Sequence, residues 1–162
     1  MKPTLFTIVR SGRGELSTMS RPRGGDWLVD EMTALDAMGI DVLVSTLTTA
    51  EQAELELLAE PDSARDAGLR FISFPIPDRS VPDAHEYRSL VYELHDALNG
   101  GRRVVIHCRM GIGRSSLVAA GVLAAEGLRG NDAWEMVADA RGLPVPDTEL
   151  QRTWLSEVTE TW

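Results

Sequence analysis

The stretch VVIHCRMGIGRSS, Val104 to Ser116, decides the fold. With Arg102 and Arg103 in front and His107 behind, Val104, Val105 and Ile106 make a short β-branched run of the kind that forms a strand covered on both faces. From Gly113 onward, Leu117, Val118, Val122 and Leu123 describe a largely apolar helix. Between strand and helix stand Cys108, Arg109, Met110, Gly111, Ile112 and Gly113, and Cys108 is the only cysteine in the chain. A loop in that setting can curl so that successive backbone N–H groups converge on one point, which favours an anion. Gly111 and Gly113 permit the backbone angles and close approach such a cradle needs. Arg114 offers a planar fork for two oxygens of a phosphate. The same positive field favours the thiolate of Cys108 over the thiol.

Outward from this loop, strands and helices alternate. LFTIV, 5–9, reads as a strand, and the Gly-, Arg- and Ser-rich segment after it as a turn with at most one short return strand. Asp26 is expected to cap a helix carrying Trp27, Leu28, Met32, Leu35 and Met38 and ending at Gly39. IDVLVST, 40–46, is a second buried strand, followed by a capping box of Thr48 and Glu51. LRFISFPI, 69–76, is another strand, and a helix from Pro82 in its first turn runs to Asn99. Two helices, 131–141 and 147–160, close the chain. The expected fold is α/β: one domain over 1–162 with a mainly parallel central sheet of about four to five strands flanked by helices. In such sheets ligands collect at the carboxyl ends of strands, where Cys108 stands.

The chain has 162 residues, suited to one core. Its apolar share of 43% and charged share of 25% are those of a globular protein. A lone cysteine fits a reducing, cytoplasmic setting, and no apolar run is long enough for a leader or a membrane span. The net charge of -9 argues against nucleic acid as a partner. Nine acidic residues and no basic one lie within 26–60, read as solvated helix faces. Arg10, Arg13, Arg21 and Arg23 are either ordinary surface arginines or a patch that helps hold an anionic substrate. His85 and His95 show no metal-ligand grouping, so neither metal nor other cofactor is implied. Trp27, Trp134 and Trp154 read as core or interface aromatics.

HCRMGIGRSS fits H-C-x-x-G-x-x-R-[ST] and so resembles the signature of the cysteine-dependent protein tyrosine phosphatases. Length and layout over about residues 40 to 155 resemble the small dual-specificity branch, in particular the cyclin-dependent-kinase-associated phosphatase group. The resemblance implies Cys108 as nucleophile, a phosphocysteine intermediate, and Arg114 with the loop residues Arg109, Met110, Gly111, Ile112 and Gly113 holding phosphate. It implies Ser115 as hydrogen-bond donor to the sulfur, and an upstream Asp as the acid. Asp78, in FPIPDRSVPD, lies thirty residues before Cys108. Asp83 is the competitor, although the helix start also explains a carboxylate there. His107 is expected to brace the loop, with proton transfer the other reading. Gln151 in GLPVPDTELQRTW resembles a water-orienting glutamine, or is an exposed polar residue. Arg109 either adds substrate attraction or is solvated.

The implied substrate is a phosphorylated protein or peptide, through phosphotyrosine and possibly phosphoserine or phosphothreonine. Alternatives are an inositol phosphate or other small phosphometabolite, a phosphopeptide-binding module, and a sulfur-transfer enzyme with a similar amide cradle. Oligomeric state is left open by the sequence.

Overall fold

The computed structural model describes residues 2–162. Its centre is a five-stranded sheet: β1 (Phe6–Thr7), β2 (Glu15–Met19), β3 (Val42–Ser45), β4 (Arg70–Ser73) and β5 (Arg103–His107), ordered β1-β2-β5-β3-β4. β2, β5, β3 and β4 run parallel, and β1 pairs antiparallel at one edge. Seven α-helices surround it: α1 (Leu28–Ala37), α2 (Thr49–Glu54), α3 (Glu60–Asp66), α4 (Ala84–Asn99), α5 (Arg114–Ala125), α6 (Asn131–Arg141) and α7 (Glu149–Thr159). The expected class and strand count therefore hold.

Burial explains why the strand run reads as continuously apolar. Val104 and Ile106 point into a core shared with α4 to α7, whereas Val105 points to the opposite face, against Leu28, Met32 and Leu35 of α1. Each large aliphatic side chain removed from water in this way contributes about 1.5–3 kcal/mol. Helix α5 is buried along nearly its whole length. Where it crosses α4, a Cβ on Gly121 would stand 2.0 Å from Tyr87 Oη, so the two helices meet at a glycine. The Tyr87 hydroxyl donates to the Leu117 carbonyl at 2.7 Å, satisfying a buried polar group.

Several local expectations are corrected. The strand at 5–9 shrinks to two residues, and Val9 is exposed. The short return strand is β2, five residues long and second in the sheet, beside β5. Its length and place were not legible because Ser17 and Thr18 are buried polar positions, Ser17 sharing a hydroxyl hydrogen bond of 2.9 Å with Thr7. Asp26 caps nothing: a 3₁₀ turn over Gly25–Trp27 leads into α1, which has no side-chain cap. Trp27 is not a core residue but 55% exposed, with the Arg23 guanidinium over its ring. Pro82 precedes the first turn of α4, whose cap is Asp83, and α3 was not foreseen. The acidic block is not wholly solvated either, since Glu31, Glu51 and Glu60 are buried, each beside a basic partner.

Among the described residues no helix is long and apolar enough to cross a membrane. At the carboxyl end of the sheet, His107 ends β5 between Met19 of β2 and Ser45 of β3, which brings the 108–113 loop out at the centre of that edge.

Candidate active site

Cys108 is 3% exposed, and its sulfur is surrounded by donors. The Gly111 N–H donates to Sγ at 3.3 Å, and Ser115 Oγ lies 3.2 Å away from the first turn of α5. Burial works against a charge on this thiol. The Ser115 hydroxyl, the N–H groups of Ser115 and Gly111, and Arg114 outweigh it, and the pKa is lowered. Gly111 has φ of 71°, and a Cβ there would meet the Met19 carbonyl carbon at 2.9 Å, so the turn that aims this N–H requires glycine.

The loop carbonyls are taken by donors outside it. Arg141 of α6 donates through Nε to the Gly111 carbonyl at 3.0 Å and through a terminal nitrogen to that of Met110 at 3.1 Å. Ser20 Oγ also donates to Met110 O, and the Arg21 N–H to Arg109 O. Arg141 itself lies over the Phe6 ring. Helix α6 and the segment after β2 thus hold the loop in place.

Arg114, the first residue of α5, is 2% exposed. Glu51 takes it in a fork, Nη1 to Oε1 at 2.6 Å and Nη2 to Oε2 at 2.9 Å, and Nη1 also donates to the Ile76 carbonyl. Hydrogen bonding to Arg114 dominates at Glu51 and, with help from Thr48 and against burial, holds its pKa at about 2. The same Glu51 accepts the Thr48 N–H in the capping box. One turn further, Glu54 pairs with Arg109 at 3.0 Å. Arg109 is thus neither simply solvated nor free to meet substrate without releasing this partner.

Asp78 follows β4 and is 57% exposed at the side chain, with Oδ1 3.3 Å from Arg114. It shares a cavity of about 190 Å³ with Cys108, Arg109, Met110 and Gly113. Asp83 instead accepts the Glu86 N–H at 2.9 Å as the cap of α4. Ile112 gives the loop only its backbone, since its side chain packs against the core. Larger grooves, such as one of about 670 Å³ beside Arg70 and Tyr92, gather no comparable set of groups.

Gln151 is fully buried, not an exposed polar residue. Its Nε2 donates to the Ser80 carbonyl at 3.2 Å and lies against Gly113, joining the Asp78 loop to the Cys108 loop, while Oε1 has no partner among the described residues. His107 lies behind the loop rather than in the cavity, with Nδ1 3.1 Å from the Cys108 carbonyl oxygen and Nε2 2.6 Å from Glu60. Two of the early arginines are held in ion pairs. Arg10 pairs with Glu126 at the far end of α5, and Arg23 with Glu31.

Sequence reasoning missed Glu51, Glu54, Glu60 and Arg141, because each meets its partner across a long stretch of chain. It also missed Asp147, which lines the cavity four residues before Gln151. Only Glu51 carried a signal, its place in the capping box.

Residues 17–128 match a family model described as "Polymorphic toxin system, DSP-PTPase phosphatase". Cyclin-dependent kinase inhibitor 3 of Rattus norvegicus is 30% identical over 125 residues, which cover 76% of this chain and 59% of that protein. The chain therefore spans about 59% of the length of the relatives it matches. A crystal structure of kinase associated phosphatase, with its catalytic-site cysteine replaced by serine, superimposes with a TM-score of 0.91 at 22% identity, covering 99% of this chain and 96% of that one. The active form of Tk-PTP gives 0.77 at 24% identity, covering 96% and 97%. These two likenesses bear on the fold.

Proposed function

The chain belongs to the dual-specificity protein tyrosine phosphatase family, and from that premise we propose that its 162 residues form one catalytic domain that hydrolyses phosphomonoesters on protein side chains. The observation that carries this reading is a single small cavity holding a depressed-pKa thiol, a clamped arginine and a half-exposed carboxylate beside it: Cys108, Arg114 and Asp78.

In this mechanism the Cys108 thiolate attacks phosphorus in line as the bond to the leaving oxygen breaks. Protonated Asp78 delivers its proton to that oxygen. Arg114 and the loop N–H groups hold the equatorial oxygens, and because Glu51 has already fixed the guanidinium, little reorganisation is needed as charge shifts. The phosphocysteine is then hydrolysed. Asp78, now a carboxylate, takes a proton from water, and Gln151, whose Oε1 has no partner among the described residues, orients that water. The Ser115 hydroxyl donates to the departing thiolate. Nucleophile, acid and charge stabilisers are all groups of the chain itself, so the reaction needs no metal or other cofactor.

The substrate is a phosphorylated protein or peptide, bearing phosphotyrosine and also phosphoserine or phosphothreonine, and the setting is the reducing cytoplasm that preserves a lone reactive thiol. The test is the double variant Asp78→Ala, Cys108→Ser offered a panel of phosphopeptides and small phosphometabolites. Capture of phosphopeptides without turnover supports the reading. Selective capture of small phosphometabolites overturns the substrate class.

A further inference from the structure

The ring of His107 is wholly out of solvent, and both of its nitrogens face acceptors. Nδ1 stands 3.1 Å from the Cys108 carbonyl oxygen, and Nε2 stands 2.6 Å from Oε2 of Glu60, the first residue of α3. A carbonyl oxygen can only accept, so the first contact requires a proton on Nδ1. A neutral ring would then turn a bare Nε2 toward a carboxylate, acceptor against acceptor, unless a second proton sits between them. The pair must therefore hold two protons, and it is neutral overall.

Glu60 is 1% exposed, and its other oxygen, Oε1, is buried with no hydrogen-bond partner among the described residues. A carboxylate buried in this way depends on a paired cation. His107 is the cation in contact with it.

We propose that Glu60 is a positioning residue for the thiol chemistry: it keeps His107 as an imidazolium whose Nδ1–H anchors the Cys108 carbonyl and whose charge favours the neighbouring thiolate. The inference rests on the reading of Cys108 as nucleophile. Burial opposes charge on His107. The Glu60 charge and hydrogen bond, the Cys108 carbonyl and the charge on Cys108 together raise its pKa nonetheless. Coupling between two binding equilibria is reciprocal, so a sulfur that favours the imidazolium is itself favoured as thiolate by it.

The groups around the pair come from five segments of the chain. Glu60 faces His107 from α3, and Cys108 faces it from the loop. The sulfur meets Ser115 and Arg114 from α5 and the Gly111 N–H, while Glu51 of α2 and Asp78 bear on it through Arg114. Of the carboxylates named here, Glu60 alone acts on the sulfur through His107.

The test uses the full chain with Glu60→Gln, which preserves size and can donate an amide N–H to Nε2 while removing the charge. The thiolate absorbance as a function of pH and the acid limb of kcat/KM for an aryl phosphate are read side by side. Both midpoints are expected to move up together by about one pH unit, lowering kcat/KM about tenfold below the midpoint and little above it. Unchanged midpoints in a folded variant overturn the proposal, leaving Glu60 a packing residue. A second measurement needs no variant: nitrogen NMR of the His107 ring in the native chain near neutral pH is expected to show protons on both nitrogens. A bare Nδ1 or Nε2 overturns the proposal. Neither the absorbance nor the NMR depends on turnover, so an active Cys108→Ser protein would sink the nucleophile reading separately.

Discussion

Glu51→Gln separates charge from shape at Arg114. The amide fills the same space, and its Oε1 can still accept the Thr48 N–H that the carboxylate takes at 3.0 Å. Oε1 can also keep the 2.6 Å contact with the guanidinium, but the amide nitrogen takes the place of Oε2 and faces Arg114 donor against donor, where the carboxylate now accepts at 2.9 Å. Arg114 stays buried with its charge balanced only by the half-exposed Asp78. In the native protein, hydrogen bonding to Arg114 is the chief cause that brings Glu51 from an ordinary 4.5 to about 2, with burial opposing it. At about 1.4 kcal/mol for each tenfold in the acid constant, that depression amounts to about 3 kcal/mol of stability. The figure matches the roughly 3–5 kcal/mol cost of removing one partner from a buried pair. Because the folded-state value lies below the unfolded one, the contribution is complete above the unfolded pKa of 4.5 and is lost as pH falls from there toward 2. Urea unfolding of both proteins at several pH values is the assay. The expected gap is about 3 kcal/mol near neutral pH, narrowing by about 1.4 kcal/mol per pH unit once pH falls below the unfolded value. A gap that is absent at neutral pH, or that stays constant into acid, would refute the reasoning.

Asp78→Asn is expected to lower kcat toward tyrosyl phosphates by roughly 10² to 10⁴, and far less for esters with activated leaving groups. Asp83→Asn should instead keep the rate, and loss of the acid's signature from its pH profile would exchange the two assignments. Gly121→Ala should cost about 3 kcal/mol, since its methyl carbon would stand 2.0 Å from Tyr87 Oη. Adding Tyr87→Phe should recover part of that loss in urea unfolding, because the two sites are in contact. Strict additivity would show that the clash is relieved elsewhere.

The legible parts of this protein are those in which neighbours in sequence are neighbours in space. The loop from Cys108 to Arg114 is one turn of chain, so its glycines, thiol and guanidinium could be read together. The Thr48 and Glu51 capping box spans four residues and was equally readable. The second role of Glu51, on Arg114, is set by the approach of α2 to α5 across 63 positions, and no local pattern records it. Glu60 reaches His107 across 47 positions, and in sequence it looked like one more member of a solvated acidic block. β2 was readable only as a short return strand, without its length or its place beside β5, because its buried Ser17 and Thr18 remove the apolar alternation that marks a strand. Gln151 was recognisable only by resemblance. Its burial follows from Thr148, which caps α7 and starts that helix against the Asp78 loop.

The central claim is that Cys108 carries the phosphoryl group. Rapid acid quenching of the native chain during turnover of an aryl phosphate, followed by peptide mass spectrometry, tests it most directly. The account predicts a phosphoryl group on Cys108 that disappears as substrate is exhausted, and neither the adduct nor turnover in Cys108→Ser. A phosphoryl group on another residue, or hydrolysis by Cys108→Ser within about tenfold of the native rate, would contradict it.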